Sequence, residues 1–156
     1  MPMKNDFGFT FVEVVIVMGI MVVLLMIGSV NFLPIKQTAS LSTTTQVLIT
    51  DIKEQQLKAM NGESEQGVYF DVDQKKYTVF KGSTYDPANS TNFEIKLGDQ
   101  IIVSDVDFIG RQLLFSASSG EINNFLAGNK IVLLNTASNE QRSIFFNKYG
   151  TIISLE

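Results

Sequence analysis

The sequence predicts an α+β protein: a long N-terminal helix, with a hydrophobic membrane half and an amphipathic second half, packed on an antiparallel β-sandwich or rolled sheet. Three observations carry this expectation. Residues 14–35 bear no charge and are nearly all Val, Ile, Leu, Met, Phe or Gly, which is enough length to cross a bilayer as a helix. Residues 36–60 contain neither Gly nor Pro and space their apolar side chains at intervals of about three, four or seven, the period of an amphipathic helix. From Gly67 onward, short apolar runs recur between clusters of turn formers, the pattern of an all-β unit.

Composition narrows the function classes. With 156 residues the chain has room for one modest globular domain and an extension, and a core of that size forms without staples. Its net charge is −4, and the basic residues are scattered, with Lys75 and Lys76 adjacent at an expected hairpin tip. A phosphate-tracking surface needs a basic patch or stripe, so strong nucleic-acid binding is not expected. The absence of cysteine removes disulfides, thiolate nucleophiles and Cys-based zinc sites together. The absence of histidine removes the commonest general base and metal ligand near neutral pH. No Gly-rich phosphate loop or GxSxG elbow is present either, so neither catalysis nor a cofactor is expected.

The first element holds one residue that apolar patterning does not explain. Glu13 stands inside "FGFTFVEVVIVMGIM", and a carboxylate in a membrane-length apolar segment is costly enough to mark a functional site with a partner. A secretory signal peptide fits poorly: the start "MPMKNDFG" has one Lys offset by Asp6, and the candidate exit "IKQTAS" carries Lys36 before its small residues. A plain single-pass anchor explains the length and leaves Glu13 as an unpaired charge near one end, tolerable by snorkelling.

Gly8, Phe9, Thr10 and Glu13, followed at once by the uncharged run, resemble the class III signal of type IV pilins and type II secretion pseudopilins. The resemblance implies that residues 1–8 are a leader cut after Gly8 by a membrane-embedded prepilin peptidase, which also methylates the new N-terminus at Phe9. Glu13 then occupies the fifth mature position. Phe11 and Val12 stand where Leu and Ile are commoner, and the leader has a single basic residue. Cleavage would free an α-amine on Phe9, cationic at neutral pH with an ordinary pKa of about 8, and the resemblance implies that Glu13 of one subunit pairs with that amine on a neighbour. A charge pair in low dielectric matters chiefly because each member alone is expensive, which makes Glu13 a docking and register device.

The remaining elements follow in order. Residues 9–35 form the transmembrane or filament-core helix, with Gly19, Gly28 and Pro34 as soft points; the commonness of Gly in membrane helices explains the glycines equally well. Pro34 removes a backbone donor and bends or breaks a helix locally. Residues 36–62 form the amphipathic helix, with Leu41, Leu48, Ile49, Ile52, Ala59 and Met60 on one stripe and Asn61-Gly62 as its stop. A continuous helix from Phe9 would be a rod of roughly 78 Å. Residues 67–156 form the β-rich domain. It opens with a hairpin of strands 68–72 and 76–80 around the tip Asp73-Gln74-Lys75, followed by a conspicuous loop, "KGSTYDPANSTN". In "QIIVSDVDF", Val103, Asp105 and Asp107 share one side, with Ile102, Val106 and Phe108 partly opposite. The strands "FEIKL", "RQLLFSAS", "KIVLLN", "QRSIFF" and "GTIISL" complete seven or eight, as in a sandwich or rolled sheet, and "SSGEINNFLAGN" is read as holding a helical turn.

The long helix followed only by strands, ending in "RSIFFNKYGTIIS", is similar to the minor pseudopilins called GspH or FimT-like. The chain lacks the Trp-Gly-Pro-Tyr type motif, the acidic calcium loop and the cysteine pair of major subunits, which favours a minor one. The resemblance implies a structural subunit of a type II secretion or type IV pilus or competence filament. It implies a single pass through the cytoplasmic (inner) membrane with the C-terminal domain extracytoplasmic, then incorporation into a pilus or pseudopilus. Its partners would be other pilin or pseudopilin subunits, the peptidase and the inner-membrane assembly platform. The rival is a membrane-tethered domain that binds DNA or a secreted substrate without polymerising.

Other constellations have plainer explanations. Asp71 with Asp73, and Asp105 with Asp107, share a strand face that is usually solvent, and no EF-hand loop supports a calcium site. Phe70, Tyr77, Phe80, Phe145, Phe146 and Tyr149 suggest a stacking platform for single-stranded DNA, which would need a basic groove beside it; core and cross-strand pairing account for them better. Sequence order could hide such a groove, built from Lys75, Lys76, Lys81, Arg111, Arg142 and Lys148.

Overall fold

The computed structural model describes residues 10–30, 32–62, 64–72, 75–125 and 129–156, with the side chains of residues 27–39 left outside the description. The chain divides into two compact units, Met1–Lys36 and Gln37–Glu156. In the first, α1 (Phe11–Val30) carries no charge except Glu13 in its first turn, and its large side chains from Phe11 to Met26 are exposed. Among the described residues no helix is long and apolar enough to cross a membrane. The expectation of a span rests on the uncharged residues 14–35 of the sequence, part of which lies outside the described side chains.

The helix α2 (Phe32–Met60) continues helical through Pro34, which therefore does not end it. Asn31, between α1 and α2, lies outside the described residues, as do residues 1–9, which include the expected leader. The C-terminus of α2 is closed as expected by Asn61-Gly62. Asn61 N–H donates to Leu57 O and Gly62 N–H to Ala59 O, each at 3.0 Å, and Gly62 takes the left-handed conformation (φ 78°) in which only glycine is unstrained. The Ser118 N–H also donates to Ala59 O at 2.8 Å, so a loop of the β unit satisfies a carbonyl at the helix end.

The buried face of α2 comprises Leu41, Thr45, Leu48, Ile49, Ile52, Gln55 and Ala59. Met60 is a correction to the expected stripe: one residue past Ala59, it has turned about 100° off the face and is 49% exposed. Thr45 and Gln55 occupy the stripe instead, and the Thr45 hydroxyl satisfies itself by donating to Leu41 O at 2.8 Å.

Eight strands form two antiparallel sheets of four. β1 (Gln66–Asp71), β2 (Lys76–Lys81), β3 (Phe93–Lys96) and β5 (Gln112–Phe115) make the first, in the order β3-β2-β1-β5. β4 (Ile101–Val106), β6 (Lys130–Asn135), β7 (Gln141–Phe146) and β8 (Ile152–Leu155) make the second, in the order β4-β6-β7-β8. Phe70 and Tyr77 of the first sheet and Val103, Ile131, Leu133 and Ile144 of the second belong to one buried cluster with the α2 face. The expected hairpin is present as β1 and β2, although two of its tip residues, Asp73 and Gln74, lie outside the described residues. The side assignment of β4 is corrected. A bulge between Val103 and Asp105 inserts Ser104, so Val103 is buried while Asp105 is exposed, because one extra residue reverses the alternation beyond it. In the described part of "SSGEINNFLAGN" there is a single turn closed by Gly120 N–H donating to Ser116 O at 2.9 Å, after which Ile122 bridges Phe115; residues 126–128 lie outside the described residues, and a 3-10 turn lies earlier, at Ile109–Arg111.

Two contacts fasten α2 to the sheets beyond apolar burial. The Gln56 amide donates to Gly120 O at 3.0 Å and to Tyr149 O at 2.7 Å. A side chain at Gly150 (φ 73°) would stand 2.9 Å from Phe115 Cε1 and closer still to Gln56, so this turn must be glycine both for conformation and for space. The buried Tyr77 hydroxyl donates to Asp51 Oδ2 at 2.5 Å.

The fragment Gln37–Glu156 should therefore be soluble, monomeric and β-rich, and Leu48→Ala should cost it about 2–5 kcal/mol in chemical denaturation. An insoluble fragment, or a circular dichroism spectrum dominated by helix, would contradict the fold. Burial first, and the bond to Asp51 second, hold the Tyr77 phenol far above its ordinary value. A raised pKa for a group that is neutral when protonated adds stability that is full below the unfolded value of about 10 and is lost as pH rises beyond it. Alkaline difference titration against Tyr77→Phe should show the Tyr77 phenolate appearing only with unfolding; its appearance in the folded fragment near pH 10 would contradict the packing.

Candidate assembly site

The described N-terminus begins with Thr10, and α1 starts one residue later. The Glu13 N–H donates to Thr10 Oγ1 at 3.3 Å, and the Thr10 N–H donates to Glu13 Oε2 at 3.4 Å. This reciprocal pair is a capping box, in which an N-cap Thr and a Glu three residues on satisfy each other's backbone donors. The backbone agrees, since Glu13 and Val14 N–H both donate to Thr10 O, at 3.1 and 3.2 Å. Sequence reasoning took Thr10 and Glu13 only as parts of a longer signal. The Thr-x-x-Glu spacing before an apolar run was the available cue for the cap.

Glu13 is the one ionisable residue of α1, and its neighbours Val14, Val17, Met18 and Met21 form an apolar surface running along the helix from it. The helix dipole favours a carboxylate at this end. Chemically the site can hold an anion at a helix start and offer it to a cation that arrives from outside the chain. Gly8 and Phe9, the expected cleavage pair, lie outside the described residues. Gly19 and Gly28 lie inside α1 and Pro34 inside α2; a Cβ at Gly19 would meet nothing within 4 Å.

Residues 3–29 match the family model described as the prokaryotic N-terminal methylation motif. The fold matches the minor pseudopilin EpsH from the type 2 secretion system of Vibrio cholerae with a TM-score of 0.53 at 17% identity, covering 75% of this chain and 96% of that one. The chain carries a pilin-type N-terminus on a pseudopilin-like fold. No curated protein sequence shows significant similarity to it.

In this pilin-like chain the other expected candidates fall where folding explains them. Among the described residues no group of three or more His, Cys, Asp or Glu could hold a metal ion. Asp105 pairs with Lys130 at 3.2 Å. Of the six residues that could compose a basic groove, Lys76 pairs with Glu94 at 2.7 Å, Lys148 with Glu121 at 3.6 Å, and Lys75 donates to Asp99 O at 2.9 Å. Phe70, Tyr77, Phe80 and Phe146 are buried, so four members of the suggested stacking platform belong to the interior. Tyr149 departs from that expectation at 64% exposed. The conspicuous loop after β2 folds back on the first sheet: Tyr85 stacks on Tyr69 with centroids 4.1 Å apart, and its N–H donates to Gln112 Oε1 at 3.0 Å.

With acidic residues outnumbering basic ones and Lys76, Lys130 and Lys148 each paired with a carboxylate, the fragment Gln37–Glu156 should bind DNA weakly at about 150 mM salt. Titration against labelled duplex and single-stranded DNA tests this. Sub-micromolar binding that weakens steeply with salt would instead mark a nucleic-acid receptor.

Proposed function

We propose that this chain is a minor pilin-like structural subunit, without enzymatic activity, of a type II secretion pseudopilus or a related type IV pilus or competence filament. It enters the cytoplasmic membrane as a precursor through the uncharged residues 14–35, is cut between Gly8 and Phe9 and methylated at Phe9 by a prepilin peptidase, and leaves the membrane for a filament with its β unit outside. The observation that carries this reading is α1 itself: an exposed apolar helix with one charged side chain, Glu13, at its start. Such a surface needs lipid or other apolar helices around it. Lipid alone gives Glu13 no partner, whereas a neighbouring subunit's N-terminal amine does.

Insertion and assembly make separate demands on the N-terminus. Residues 14–35 supply the apolar length and do not need Glu13. Docking needs the carboxylate and an amine freed by cleavage after Gly8. The assembly platform and sister subunits are the partners this scheme calls for.

Two variants test it. Gly8→Val adds a branched Cβ where the peptidase must approach the backbone closely, and the precursor should remain uncut; a Gly8→Val chain starting at Phe9 would remove the class III reading. Glu13→Ala should insert normally in the membrane and fail to enter filaments. An unchanged distribution of Glu13→Ala would favour a membrane-tethered binding domain that never polymerises.

A further inference from the structure

We propose that Thr10 is a positioning residue for subunit docking, holding the Glu13 carboxylate at the start of α1 so that one oxygen is engaged and the other is presented to an incoming amine. The proposal rests on the docking role of Glu13 put forward above and assigns Thr10 a part in it.

The geometry supplies the argument. A glutamate side chain near a helix start can extend away from the helix or fold back over its first turn, and free rotation among these states dilutes the one a partner needs. Here Oε2 accepts the Thr10 N–H at 3.4 Å while Thr10 Oγ1 accepts the Glu13 N–H at 3.3 Å. The two bonds close a ring that fixes both residues. The carboxylate has two oxygens and about four lone-pair sites, so a single N–H leaves capacity for a charge-assisted bond from an ammonium. The bond also offsets part of the cost of carrying a carboxylate on an apolar helix before any partner has arrived. Cleavage before Phe9 would leave the box intact, because Thr10 keeps its amide N–H as the second residue of the shortened chain.

Capping and pairing separate chemically. Glutamine serves at the third helical position of a capping box as glutamate does, but cannot form an ion pair. Valine matches threonine in shape and lacks the acceptor, while serine retains it. The test uses the full-length chain in membranes of a host that assembles filaments, scoring for each variant the fraction of cleaved subunits that enters filaments. Scoring cleaved chains alone keeps any effect of Thr10 on processing out of the result.

Thr10→Val should reduce incorporation roughly five-fold, the factor associated with a lost N-cap, and Thr10→Ser should restore it. Glu13→Gln should keep slow amide exchange at residue 13 in detergent micelles yet lose incorporation. Wild-type incorporation by Thr10→Val, or a defect in Thr10→Ser as large as that in Thr10→Val, overturns the positioning role while Glu13→Gln still fails. Normal incorporation by Glu13→Gln overturns the docking role itself, and the positioning role with it.

Discussion

The unit Gln37–Glu156 depends on one face of α2, because that face supplies the core to both sheets. Leu41, Leu48, Ile52 and Ala59 are at most 1% exposed and share a single buried cluster with strands from each sheet. Four-stranded antiparallel sheets with one apolar side need something to cover it. The helix does this for both at once. The polar contacts follow from that placement. Gln56 can reach Gly120 O and Tyr149 O only while the helix lies in its seat, and the glycine at 150 is what allows it so close. Tyr77 and Asp51 fasten the opposite flank.

The first unit obeys the opposite rule. Along its described side chains, Phe11 to Met26, its helix exposes a nearly uninterrupted apolar surface. Such a helix acquires its energetics from apolar surroundings, whether lipid or other helices. Glu13 fits both situations through the capping box, which places its charge where the helix dipole favours it and spares the adjacent backbone donors. One residue thereby serves local helix formation and, in the proposed docking, longer-range recognition.

Much of the architecture was legible because it is written in periodicity. The heptad-like spacing of Leu41, Leu48, Ile52 and Ala59 gave the buried helix face, and alternation in "FEIKL" and short apolar runs such as "KIVLLN" between turn formers gave strands. The errors came where a local device breaks a period. Ser104 forms a bulge that no alternation count reveals, so Val103 and Asp105 were placed on the same side when they face opposite ways. Met60 continued an apolar spacing just as the helix was ending. At the N-terminus, the offsets of Gly8, Thr10 and Glu13 pointed to the family signal, yet the same offsets hid the plainer chemistry of a helix cap. Both readings use Glu13, and only side-chain geometry shows the bond to Thr10.

The central claim is that this chain is processed to a new N-terminus at Phe9 and that this end enters a filament. Mass spectrometry of the chain isolated from membranes of a host with a functioning assembly machine tests it most directly. The account predicts a first residue of Phe9 carrying one added methyl group, with the first eight residues gone. A chain that retains Met1, or one that begins near residue 40 as a secretory signal would leave it, would contradict the account.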